Sequence, residues 1–365
     1  MKTKFKTTFS YVAALVGVCG AFAYYNTGNA AEDTSSQFIS SYYNDKAISA
    51  DKFEALTKAL DAGVEKFQAQ NGMFIIMDAA DATVLATYSK DKSEAVDQKL
   101  YEAGSVYKVF DIAMGLESGS ITAEEQIDTS EPLVIGKKKI TDKQGTHEML
   151  TLERILVESS SIGAAKIALK VGGEYQYDFF NKLGLLSKID AYNINSSVPL
   201  SLKKNKWVNN EQLIATISYG YGVSDTPLHI ITAYSAIVNG GTYYKPSLEK
   251  IDDKEGVRVI SEDNSMLMRK YLRKVVTDRT AKRADSDKYV LMGKTGTADK
   301  VKKDGKYDSE HVISTLVGNF EYDGKNYAIL VMLDDPKGLE ETYGFVTAGW
   351  NAVPTAKNII EEFIK

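Results

Sequence analysis

Between residues 51 and 70, apolar side chains fall at 53, 56, 60, 64 and 67 with polar residues between them. That spacing predicts an amphipathic helix. Met73–Asp78 and Thr83–Tyr88 are short β-rich runs around Ala79-Ala80-Asp81-Ala82, and together they predict a hairpin. A mostly apolar helix is expected over 105–117. Residues 151–171 read as one or two apolar helices broken at a serine triplet, and two more, 210–220 and 227–238, flank Tyr219-Gly220-Tyr221-Gly222. Three strands follow, Tyr289–Thr297, Ser314–Phe320 and Asn326–Leu333, the last two joined by a Tyr322-Asp323-Gly324-Lys325 turn. A helix over 351–364 closes the chain. Strands at both ends with helices between predict an α+β fold, an antiparallel sheet covered by helices.

The N-terminus breaks this pattern. MKTKFK carries three lysines, and an apolar run of 17 residues follows, Phe9 to Tyr25. A positive flank before an apolar stretch marks a signal peptide or a single membrane anchor, and this run is at the short end of what spans a bilayer. Ala21-Phe22-Ala23 and Gly28-Asn29-Ala30 are small-x-small cleavage candidates, whereas Val18 ahead of Cys19 argues against lipidation. Residues 1–30 are therefore expected to be a signal peptide or anchor. Residues 31–50, rich in Ser, Asn, Asp and Thr, are expected to be a linker, and 51–365 a domain acting outside the cytoplasm.

Composition narrows the function classes. The 365 residues are 44% hydrophobic and 25% charged with a net charge of −5, which excludes intrinsic disorder. A pI near 5.5 argues against a nucleic-acid binder. Lysine clusters at 137–139 and 203–206 read as solvated loop faces. Cys19 is the one cysteine, and His147, His229 and His311 are not spaced as a metal pair, so no structural metal is expected.

Three short motifs carry candidate chemistry. Ser105 and Lys108 are three apart on an expected helix, so both side chains share a face and the amine reaches the hydroxyl. A neutral lysine can take the proton from a serine nucleophile. The same spacing recurs at Ser49/Lys52, Ser89/Lys92, Ser201/Lys204 and Ser247/Lys250, but those pairs lie in polar surroundings. Only Ser105 follows a glycine and opens an apolar helix. Lys294-Thr295-Gly296-Thr297 lies on an expected strand; the lysine offers a cation and the threonines hydroxyls to a substrate carboxylate, while Gly296 admits a close backbone approach. The bland alternative is an edge strand with a surface lysine. Ser159-Ser160-Ser161 sits inside an apolar helix pair, where each hydroxyl needs a partner or marks a plain helix break.

The order of these elements, at 105, 159 and 294, matches the SxxK, SxN and KTG set of penicillin-binding proteins and serine β-lactamases. With YEAGSVYKVFDIAMGLE, LERILVESSSIGAAKIAL, ATISYGYGVSDTPLHIITAYSAIVNGG, MGKTGTADKV and AILVMLDDPK in the same order, residues 51–365 resemble the transpeptidase domain of class B penicillin-binding proteins of the septal cell-division type. The resemblance implies a penicillin-binding-protein/serine β-lactamase-like fold with a helical subdomain. It implies a peptidoglycan D,D-transpeptidase with Ser105 as nucleophile, Lys108 as base and Ser159 as proton shuttle. Lys294, Thr295 and Thr297 would orient the terminal carboxylate, and the backbone N–H groups of Ser105 and Thr297 would hold the oxyanion. The implied ligands are D-Ala-D-Ala stem peptides and β-lactams, and the implied mechanism requires no cofactor. The implied partners are a membrane glycan-strand polymerase and division proteins, on the periplasmic side of the inner membrane.

Two departures stand out. Ser161 occupies the position where the family's second motif usually ends in asparagine, and it brings one hydroxyl in place of an amide donor and a carbonyl acceptor. Family members also carry a large pedestal between anchor and catalytic domain, where only about 25 residues intervene here. These departures favour an alternative, a degenerate binding or scaffold module without turnover. A serine β-lactamase or β-lactam sensor is a further alternative; the segments at 213–241 and 328–337 argue against it.

Overall fold

The computed structural model describes residues 39–142, 148–302 and 304–365. Its centre is a six-stranded antiparallel sheet. In chain order the strands are β1 (Ser41–Tyr43), β2 (Asn71–Asp78), β3 (Thr83–Ser89), β4 (Val290–Val301), β5 (Tyr307–Tyr322) and β6 (Lys325–Asp334). Their order across the sheet is β1-β3-β2-β6-β5-β4. The two expected hairpins are there, with Asp78 opposite Thr83 and Tyr322 opposite Lys325. β1 lies in the stretch read as a linker, and three residues are too few to show an alternating pattern. The expected N-terminal signal or anchor at 1–30 lies outside the described residues, as does His147. Among the described residues no helix is long and apolar enough to cross a membrane.

The strands read as nearly continuous apolar runs because both faces of the sheet are covered. The helices α1 (Ala50–Lys66) and α9 (Ala352–Phe363) cover one face. Phe363 meets Phe320 of β5 edge-on at 5.5 Å. The neighbouring residue Asn319 points the other way and accepts from the Tyr234 hydroxyl at 2.9 Å. Tyr234 belongs to α7 (Pro227–Val238), which lies on the second face with α2 (Lys108–Glu117) and α8 (Glu262–Asp278). α7 is buried along its whole length, and its polar members His229, Thr232 and Ser235 find hydrogen-bond partners inside the protein. α3 (Leu152–Glu158), α4 (Ser161–Val171), α5 (Gly173–Lys182) and α6 (Glu211–Ile217) complete the helical part.

Candidate active site

Ser105 lies in a single 3-10 turn, Gly104–Tyr107, that runs into α2 at Lys108. The expected helix is thus tighter at its first turn. Gly104 has φ +53°, a left-handed conformation that a glycine adopts without steric cost. Gly296 of β4 passes so close to this turn that a Cβ there would stand 2.5 Å from the Ala103 carbonyl oxygen. The glycine of the Lys-Thr-Gly motif therefore docks the strand against the nucleophile turn.

The serine triplet is the break between α3 and α4. Ser159 ends α3 in a left-handed conformation (φ 59°), which turns its side chain toward the two lysines. Ser160 caps α4, accepting from Gly163 N–H at 2.9 Å. Its hydroxyl donates to Asp142 Oδ2 at 2.6 Å, and Asp142 Oδ1 accepts from the N–H groups of Ser161 and Ile162 at 2.5 and 3.1 Å. Asp142 satisfies orphan donors of the helix start and fixes where Ser161 points.

These elements converge on Lys108. Its Nζ stands 2.9 Å from Ser105 Oγ, 2.7 Å from the Ser159 carbonyl, 3.2 Å from Ser159 Oγ and 3.1 Å from Ser161 Oγ. An ammonium has three N–H groups, so four oxygens over-fill it and one contact is shared or reversed. Lys294 Nζ reaches the same serine from β4, 3.0 Å from Ser159 Oγ, and also donates to the Thr295 carbonyl at 2.9 Å. Ser159 Oγ thus bridges two amines, and both lysines are only 1% exposed. Burial, and then the neighbouring Lys108, push the Lys294 amine well below its ordinary range. Asp111, one turn along α2, is buried with neither oxygen partnered among the described residues, and burial holds its carboxyl well above the usual range.

The remaining motif residues line the cleft. Thr295 Oγ1 donates to Thr280 Oγ1 at 2.7 Å, and Thr297 Oγ1 accepts from Ala348 N–H at 3.2 Å. The cavity they share with Ser105, Lys108, Ser159 and Ser161 measures about 410 Å³. All eight residues singled out in the sequence therefore meet in one place. The sequence reading missed Asp142, Thr280 and Arg283, and the wall of Tyr219 and Tyr221. It also missed Glu158, a buried carboxylate held by Arg154 and Arg279. These residues are polar side chains from separate segments, and no local pattern links them. A larger cavity of about 990 Å³, lined by Glu102, Lys138 and Tyr307 among others, does not include Ser105. Among the described residues no cluster of His, Cys, Asp or Glu is placed to hold a metal. Lys138 and Lys204 hold Thr216 and Asp178, and Lys139 faces the cleft.

Comparison with known proteins agrees with this geometry. The family model for the penicillin binding protein transpeptidase domain matches residues 72–361, a span that includes the whole constellation. The probable peptidoglycan D,D-transpeptidase FtsI of Caulobacter vibrioides (strain NA1000 / CB15N) is 31% identical over 332 residues, covering 84% of this chain and 56% of that protein. Stage V sporulation protein D of Bacillus subtilis (strain 168) is 28% identical over 340 residues, covering 84% and 51%. The chain thus spans just over half the length of these curated relatives. The apo structure of the TP domain from Burkholderia pseudomallei penicillin-binding protein 3 matches with a TM-score of 0.78 at 26% identity, covering 87% of this chain and 94% of that one. With the serine–lysine cluster, the two-sided sheet and the family match over residues 72–361 in agreement, the chain belongs to the penicillin-binding protein transpeptidase domain family.

Proposed function

We propose that this chain is a peptidoglycan D,D-transpeptidase that cross-links stem peptides through an acyl-enzyme on Ser105. The observation that carries this reading is the continuous chain of contacts Ser105–Lys108–Ser159–Lys294 in a cleft open to a peptide. Ser105 Oγ attacks the carbonyl of the penultimate D-alanine as Lys108 takes its proton. The proton passes by way of Ser159 Oγ to the leaving D-alanine amine. The N–H groups of Ser105 and Thr297 stabilise the oxyanion. An amine of a neighbouring stem then takes the acyl group, or water does. β-Lactams acylate the same serine.

Lys294 acts through Ser159, since its Nζ is committed to that hydroxyl and to the Thr295 carbonyl. Thr295 and Thr297 offer their hydroxyls to the donor, and Gly296 keeps the strand close. Ser161 supplies Lys108 with an acceptor but brings no amide for the substrate. The natural setting is the outer side of the cytoplasmic membrane in cell division, with a glycan-strand polymerase and division proteins as partners. This rests on the relatives' names and on the family resemblance.

Ser161 favours the second reading, a binding module without turnover, whereas the intact Ser105–Lys108 contact opposes it. Labelling of the full chain with a fluorescent penicillin, with Ser105→Ala as control and mass mapping of the adduct, decides between them. A stable adduct on Ser105 that the control abolishes is expected. A folded chain that takes no label at high probe concentration would sink the transpeptidase reading.

A further inference from the structure

Lys294 leaves a gap in the chemistry. A donor ending in a free carboxylate needs a cation, and the Lys294 amine is buried and spent inside the protein. Two other cations line the cleft, Arg283 and Lys139. Arg283 lines it together with Thr295, Thr297 and Ser105. Its guanidinium stacks on the Trp350 ring at 3.4 Å, and one N–H lies 3.4 Å from the Gly349 carbonyl oxygen. Arg154, Arg269, Arg273 and Arg279 each hold a carboxylate, while Arg283 holds none among the described residues. The carboxylate of the cleft lining, Glu158, is already taken by Arg154 and Arg279. The cleft therefore carries positive charge at Arg283 and at Lys139, and of the two Arg283 is the one whose stacking partner, Trp350, lies in the turn that bonds Thr297.

The turn that holds Arg283 also holds the threonine end of the cleft. Ala348 N–H donates to Thr297 Oγ1, and Gly349 packs so close to Thr280 that a Cβ would meet the Thr280 carbonyl oxygen at 2.6 Å. Thr280 in turn accepts from Thr295. Phe345 stacks beside Trp350 at 5.9 Å and backs the ring on which the guanidinium rests. A planar guanidinium fixed by stacking presents its remaining N–H groups as a fork suited to a carboxylate, which a lysine ammonium cannot match.

We propose that Arg283 is a specificity-determining residue that binds the free C-terminal carboxylate of the donor peptide, with Thr295 and Thr297 completing the site. The proposal rests on the donor chemistry given under Proposed function. It makes the cleft selective for acids over the corresponding esters and amides.

The test separates binding from chemistry. In the full chain carrying Ser105→Ala, the dissociation constant of an acylated D-Ala-D-Ala dipeptide is measured by ligand-observed NMR beside that of its C-terminal amide. The comparison is repeated with Arg283→Gln and Arg283→Lys added. The acid should bind more tightly than the amide to the Arg283 protein. Gln, which is planar but neutral, should weaken the acid by about tenfold and leave the amide unchanged. Lys should recover part of the loss. Equal weakening of acid and amide would mean that Arg283 only props Trp350, and no change would mean that it does not touch the carboxylate. A parent protein that does not prefer the acid would also overturn the proposal. Penicillin labelling of Ser105 is a separate readout, so failure of the transpeptidase reading is distinguishable from failure of the Arg283 assignment.

Discussion

Single side chains set the chemistry and its weak point. Lys108 touches all three serines of the site, and two of those serines come from a helix break more than fifty positions away. Ser161 is where this cluster is thinnest. Replacing it with asparagine adds a carbonyl for Lys108 and an amide for the donor, and the acylation rate by penicillin should rise on the order of tenfold or more. An unchanged or lower rate would show that the serine already does the work.

Glu102, three residues before Ser105, gives a pH signature. Its Oε1 accepts from Gly222 N–H at 2.7 Å and from the Tyr307 hydroxyl at 3.2 Å, while Oε2 is buried with no partner among the described residues. Burial pushes the carboxyl up from 4.5 to about 7. The folded protein therefore holds this proton more tightly than the unfolded chain. The resulting stability is fully present below about 4.5 and is lost as pH rises through about 7. Glutamine keeps the acceptor but cannot titrate. The melting temperature of the wild type, relative to Glu102→Gln, should thus be higher at about pH 5 than at about pH 8, and a flat difference would contradict this.

At the scale of elements, the site is where a strand, a helix start and a helix break touch. Much of this was legible in sequence. The apolar spacing gave α1, and the Ser-Ser-Ser triplet announced the α3–α4 break because its hydroxyls have no place inside a core helix. The strands extend beyond the expected limits, β5 by seven residues at its start and two at its end, because its polar flanks pair with neighbours that no local pattern names. α8 escaped the sequence reading although Met268, Leu272, Val275 and Val276 fall at helical spacing, since its charged remainder hides the stripe. Asp142 was not legible either, because it caps a helix that begins nineteen residues later. Asp142→Ala should cost about 1–2 kcal/mol of stability, read as a lower denaturation midpoint, and should slow acylation as Ser161 loses its fixed position. Gly296→Ala should keep a folded sheet but lose labelling, since its Cβ would collide with the Ala103 carbonyl and part the strand from the nucleophile turn. Full labelling of that variant would refute the docking role of the glycine.

At the scale of the whole molecule, the described residues form a sheet buried on both faces, with the site's strand β4 at its edge. β5 is the hinge of the packing, with Phe320 against α9 on one side and Asn319 against α7 on the other. Phe320→Ala opens a cavity in a fully buried position and should cost about 3–5 kcal/mol, visible in the thermal midpoint. The fraction that remains folded should label with penicillin as fast as the wild type, because Phe320 packs against α9 and does not line the cleft. The most direct test of the central claim is intact-mass analysis of the full chain mixed with a stem-peptide donor ending in D-Ala-D-Ala and an amine acceptor. The expected result is a transient mass increase equal to the donor less one D-alanine, mapped to Ser105 and discharged into a cross-linked product. A folded chain that forms neither adduct nor product, while binding the donor, would contradict the transpeptidase and leave a binding module.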